Sequence, residues 1–128
     1  MKIAATIARY LLGLIFLVFG LNHYLNFIPM GPMPTGLAGQ FTVALLQSHY
    51  IYVVAVFEVV PAILLLVNRY VPLALTLLGP VIFNILLVGI LLTRQALPIA
   101  ILVTLLWFLV FFGVRSAFAG LFQRRVAD

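Results

Sequence analysis

The strongest constraint on this chain is a succession of four long apolar stretches, at about 3–27, 50–67, 71–92 and 97–118, with very few charged side chains inside them. Crossing the hydrocarbon core of a bilayer takes about 20 mostly apolar residues in a helix. Within that core each backbone N–H and C=O must be paired, which an α-helix does within one segment. The four stretches are therefore expected to be transmembrane helices. Only 7% of the 128 residues are charged, against about 25% in a soluble domain, so a water-soluble fold is excluded. The expected fold is all-α, an integral membrane four-helix bundle forming one transmembrane domain over 1–128.

Punctuation residues mark the joints. Pro29, Gly31, Pro32, Pro34 and Gly36 stop the first stretch and predict an outer loop at 28–36. Beyond it Leu37, Phe41, Ala44 and Leu45 recur at helical spacing while Gln40 and Gln47 stay polar, which predicts a short interfacial helix over about 37–48. The Asn68-Arg69-Tyr70 link joins the second and third spans into a hairpin, and Thr93 to Ala96 forms a second short link. Tyr10, Tyr24, Tyr50, Tyr52 and Tyr70 fall near the span ends, where amphipathic rings prefer the headgroup layer.

Charge sets the expected orientation. Lys2, Arg9, Arg69, Arg115, Arg124 and Arg125 collect on one side of the membrane and Arg94 alone on the other. Basic loops are retained in the cytoplasm, so both termini and the 68–70 link are expected there. Lys2 and Arg9 before an apolar run resemble a signal peptide, but the run is long and no small-x-small site follows, so a retained first helix is expected. The net charge of +5 is scattered singly along apolar segments and builds no basic face for nucleic acid. The absence of Cys removes disulfides, cysteine-ligated zinc and iron–sulfur clusters.

The chemistry-bearing residues converge on the outer half of the membrane. Glu58 is the one acidic residue within a span, roughly 13 Å below its outer end at 1.5 Å per residue. An ionised carboxylate is costly there, so Glu58 is expected to face the bundle interior. Ala55 and Ala62 share its stripe and leave room for a close neighbouring helix. Thr76, Pro80 and Asn84 form a stripe on the third span, with Asn84 roughly 12 Å deep and level with Glu58. The first span offers the small-residue face Gly13, Phe16, Gly20, His23, with Asn22 beside it, and the fourth brings Thr104 and Trp107 to comparable depth.

Two readings of this cluster stand side by side. In one, a neutral Glu58 bonds Asn84 and holds two helices together, an interaction worth about 0.6–2 kcal/mol in membranes. In the other, Glu58, Asn84, His23, Asn22 and Thr104 line a small outward-opening ligand pocket. The count of residues puts Glu58 more than a turn deeper than His23 or His49, so no metal site is expected. The aromatic run Trp107, Phe108, Phe111 and Phe112 reads as packing or lipid contact.

The stretches GLNHYLNFIPMGPMP, FEVVPAILLLVNRYVPLAL and GPVIFNILL resemble the DoxX family of small bacterial membrane proteins. The resemblance covers roughly Arg9 to Arg115 and rests on the order Asn22-His23, Glu58, Asn68-Arg69, Pro72, Asn84. It implies a four-helix protein of the bacterial cytoplasmic membrane, with the family's polar positions at His23, Glu58 and Asn84. It also implies a link to thiosulfate:quinone oxidoreductase or oxidative-stress complexes. Members often carry a His and a Glu where this chain has Gly89 and Trp107, which argues against a multi-ligand metal centre or a paired-carboxylate relay.

The functional expectation is a non-catalytic accessory or scaffold subunit of a larger membrane complex, contacting lipids and either a protein partner or further copies of itself. No resident cofactor is expected. The alternatives are a subunit that binds quinone in the polar pocket, with Glu58 accepting a proton, and a small-molecule carrier. The orientation is checked by reporter fusions: those after Asp128 or at Arg69 should read cytoplasmic and those near Gly36 or Gln95 external, and the reverse pattern would invert the depth assignments.

Overall fold

The computed structural model describes residues 2–27 and 34–124. Most of the outer loop expected at 28–36 and the last residues of the polar tail lie outside them. The described chain is helical, with α1 at Lys2–Leu25, α2 at Gly36–Gln47, α3 at Tyr50–Leu66, α4 at Val71–Leu87 and α5 at Leu97–Val114. No strand occurs among the described residues.

The helix ends follow from local chemistry. Asn26 stops α1 in a left-handed conformation (φ 52°), which asparagine tolerates better than most side chains. His49, also left-handed (φ 62°), sits at the corner between α2 and α3, whose axes differ by 85°. Asn68 and Tyr70 take left-handed conformations between α3 and α4, and Pro72 then stands in the first turn of α4, where its missing N–H costs nothing. The third stretch does not remain α-helical to its end: Val88–Leu92 form a π-helical turn, closed by Thr93 N donating to Val88 O at 2.8 Å. α5 gives way at Val114 to a 3₁₀ segment, Arg115–Phe122. Pro61 and Pro80 are accommodated inside α3 and α4.

α1 and the stretches Val71–Leu92 and Arg94–Phe122 are long and apolar enough to cross a membrane. α3 has 17 residues and reaches that length only together with α2, across the bend. The chain thus has three such helices, or four if α2 and α3 make one broken span. Each of α1, α3, α4 and α5 packs against two of the others: α1 on α3 and α5, and α4 on α3 and α5. Leu12, Phe16, Leu65, Leu75, Leu78 and Val103 are fully buried between them. The outward faces are apolar as well, with Leu11, Phe57, Phe83 and Leu105 exposed. Helices that are hydrophobic all round suit a lipid surround rather than water.

The tightest contact is between α1 and α3. A Cβ at Gly20 would stand 2.5 Å from Val59 Cγ2 and 3.3 Å from Ala55 O, and one at Gly13 would stand 2.9 Å from Leu66 Cγ and 3.2 Å from Ala62 O. The glycines are two turns apart on α1 and face the alanine stripe of α3, where Ala55 and Ala62 are wholly buried. Such small-residue faces let helix backbones approach closely where lipid offers no hydrophobic drive to association. Polar ties hold both ends of this contact: Tyr24 Oη donates to Tyr52 O at 2.6 Å, and Arg9 Nη1 donates to Leu65 O. Arg9 also lies over the Tyr10 ring at 4.3 Å. On the other side of the molecule Trp107 Nε1 donates to Leu75 O at 2.9 Å and joins α5 to α4.

The contact at Gly20 predicts an asymmetric response to added methyl groups. Gly20→Ala should lower stability in detergent by about 1–3 kcal/mol, the usual cost of overpacking. Gly79→Ala, whose Cβ would meet only Trp107 Cζ2 at an ordinary 4.0 Å, should be close to neutral. Thermal unfolding of the two variants against the parent checks this.

Candidate functional site

Glu58 lies on the buried stripe of α3 with Ala55, Pro61, Ala62 and Leu65. Only 6% of it is exposed, because α1 closes over it at Gly20, where a Cβ would come within 3.2 Å of Glu58 Cβ. His23 is three residues further along the same face of α1, and its Nε2 comes to 3.6 Å from Glu58 Oε2. That separation is an ion-pair distance and longer than a hydrogen bond. Oε2 itself is buried without a hydrogen-bond partner.

Residue counting put Glu58 more than a turn below His23, and the two side chains nevertheless meet. The count assumed that each helix descends independently from a common plane. The glycine contact instead brings α1 and α3 so close that an imidazole one turn above Gly20 reaches the carboxyl beside it. The expected bond between Glu58 and Asn84 is not formed. Asn84 Nδ2 donates to Pro80 O of its own helix at 2.9 Å.

Glu58 and Asn84 nevertheless share one space. A cavity of about 760 Å³ opens between α3 and α4, with α2 along one side. Its wall is mostly apolar, from Phe41 and Leu45 on α2, Ile51, Val54 and Phe57 on α3, and Leu77, Val81 and Ile85 on α4. Glu58, Thr76 and Asn84 are its polar groups on the long helices, with Ser48 and Tyr50 near the α2–α3 corner. The size falls in the range of small-molecule sites, and so does an apolar wall with a few polar groups.

The other expected site residues fall elsewhere. His23 does not line the cavity and touches Glu58 from the α1 side. Asn22 is buried beside it at 4% exposure. Thr104 is separate: its hydroxyl donates to Ala100 O at 2.7 Å on α5, and it is absent from the cavity wall. Residue spacing alone did not reveal the part played by α2, whose Phe41, Ala44 and Leu45 complete the wall. Those residues were legible as one face of a helix; the 85° corner that turns them over the cavity was not. A ring column was also missed: Tyr24 stacks on Tyr52 at 5.4 Å, and Tyr52 on His49 at 5.6 Å. Among the described residues no three His, Asp or Glu side chains group as metal ligands would.

No protein-family model, curated protein or solved structure compared with this chain matches it.

Glu58 is confined between α1 and the cavity, so the shape and the charge of its replacement should matter separately. Glu58→Gln preserves the volume and should accumulate in membranes near the parent level. Glu58→Lys places an ammonium against His23 at the closest helix contact and should reduce accumulation several-fold, as expected for a charge buried without a partner. Quantitative immunoblots of membrane fractions compare the two, and equal accumulation would place Glu58 in contact with water.

Proposed function

We propose that this chain is a four-span protein of the DoxX kind in the bacterial cytoplasmic membrane, with both termini cytoplasmic, that works by binding rather than by completing a reaction alone. Its role in this reading is that of an accessory subunit of a larger membrane complex, holding a small amphipathic molecule between α3 and α4. The observation that carries the reading is the cavity itself: apolar wall for a tail, and Glu58, Thr76 and Asn84 for a head group. The inventory of groups supports binding over catalysis. Catalysis needs an activated nucleophile, a placed acid and base or a cofactor, and this region offers one carboxyl, one imidazole and side-chain amides and hydroxyls.

A second reading, a quinone-binding subunit of an oxidoreductase, is favoured by the His23–Glu58 contact at 3.6 Å. A carboxyl with the cavity on one side and an imidazole on the other is suited to passing a proton between them. The redox chemistry in that case belongs to the quinone, with the protein supplying position and proton exchange.

Purification in lipid nanodiscs followed by native mass spectrometry and solvent extraction tests both. A retained amphipath or a copurifying membrane subunit is the expected result, and a retained quinone selects the second reading. Substrate turnover by the isolated, ligand-free chain would overturn the binding role.

A further inference from the structure

The polar side chains of α4 that face the cavity have already used donors on their own helix. Thr76 Oγ1 donates to Pro72 O at 2.9 Å, and Asn84 Nδ2 donates to Pro80 O at 2.9 Å, each four residues back along the chain. Ser48, near the α2–α3 corner, does the same to Ala44 O at 2.6 Å. Back-bonding of this kind satisfies a hydroxyl or amide in apolar surroundings. It also changes what the side chain can offer a ligand. A hydroxyl that has donated its one proton keeps only lone pairs, and an amide that has given one N–H keeps its oxygen and one further N–H. The α4 wall therefore presents more acceptors than donors. Among the described residues no Lys, Arg or His lines the cavity, so a negatively charged head group finds no counter-charge in this wall.

We infer that the cavity selects an amphipath with an uncharged hydroxyl head group over the ether, carbonyl or carboxylate of the same body. This inference rests on the reading of the cavity as an amphipath site and narrows it. At the level of Asn84 a hydroxyl donates to the amide oxygen and accepts from the remaining N–H, and two turns away it donates to the Thr76 oxygen. On the α4 wall an ether or ketone meets only that one N–H, and beside Thr76 it faces lone pairs alone. A carboxylate adds an uncompensated charge in an apolar space that already contains Glu58, and charges in such surroundings are costly without a partner. A long-chain alcohol and a hydroquinone with an apolar tail carry this same donor chemistry.

The test uses the full chain in liposomes with three photoreactive probes at equal mole fraction: a diazirine-bearing hexadecanol, its methyl ether and the matching hexadecanoate. Mass spectrometry maps the labelled peptides. The alcohol should label the α3–α4 wall about fivefold more than either analogue, the size of effect that one net hydrogen bond produces. Thr76→Val removes an acceptor without leaving a donor unpaired, and it should lower labelling by the alcohol at least about twofold while leaving the ether unchanged. Unlabelled farnesol or a decyl-substituted hydroquinone, added as competitors, distinguish a lipid alcohol from a quinol as the source of the hydroxyl. Equal labelling by alcohol and ether, or preference for the carboxylate, overturns the head-group inference and leaves the amphipath reading in place. Cavity labelling by none of the three overturns both.

Discussion

The close approach of α1 and α3 at Gly13 and Gly20 is the constraint on which the rest of the arrangement depends. In an apolar surround nothing drives two apolar helices together except packing and polar ties, and here both are concentrated on one seam. The glycines remove the side chains that would hold the backbones apart, and Ala55 and Ala62 do the same from the other side. Arg9 and Tyr24 then bond carbonyls of the α3 segment near its two ends. With α1 seated this way, α3 turns the other flank of Glu58 toward α4, and the space between α3 and α4 becomes the cavity.

The same seam explains why a carboxyl is tolerated inside an apolar molecule. Glu58 is covered by α1, has an imidazole at 3.6 Å and lines a cavity with side-chain amide and hydroxyl groups. A charged or polar group buried in a membrane span ordinarily marks a functional position because its burial is costly. The cost is concentrated on one oxygen, Oε2, which lacks a hydrogen-bond partner. Thr76, Asn84 and Thr104 instead bond the carbonyl four residues back on their own helices. Glu58 meets a neighbouring helix, through its contact with His23 on α1.

Much of this was legible before any coordinates. The all-helical class follows from long apolar stretches that leave no period-2 pattern and no room for a soluble domain. The small-residue faces were legible as well, since Gly13 and Gly20 lie two turns apart and Ala55 and Ala62 flank Glu58 at helical spacing. Residue counting was less informative about which polar groups meet. It put Glu58 level with Asn84 and more than a turn below His23 without saying which of them it touches, because a count along one helix contains no information about how another is tilted or how closely it approaches.

The sequence by itself determined that the chain is helical, apolar on all faces and interrupted at Pro and Gly, and that its few polar side chains lie on particular stripes. These are properties of a single segment: composition sets the preferred surroundings and the 3.6-residue period sets the face. Only the tertiary structure decided that His23 meets Glu58, that Asn84 turns back to Pro80, that Thr104 stands apart and that α2 folds across a cavity. Those outcomes depend on interhelical distance and on the left-handed corner at His49. Both arise from many weak contacts summed over several helices, and no local pattern in one segment records that sum.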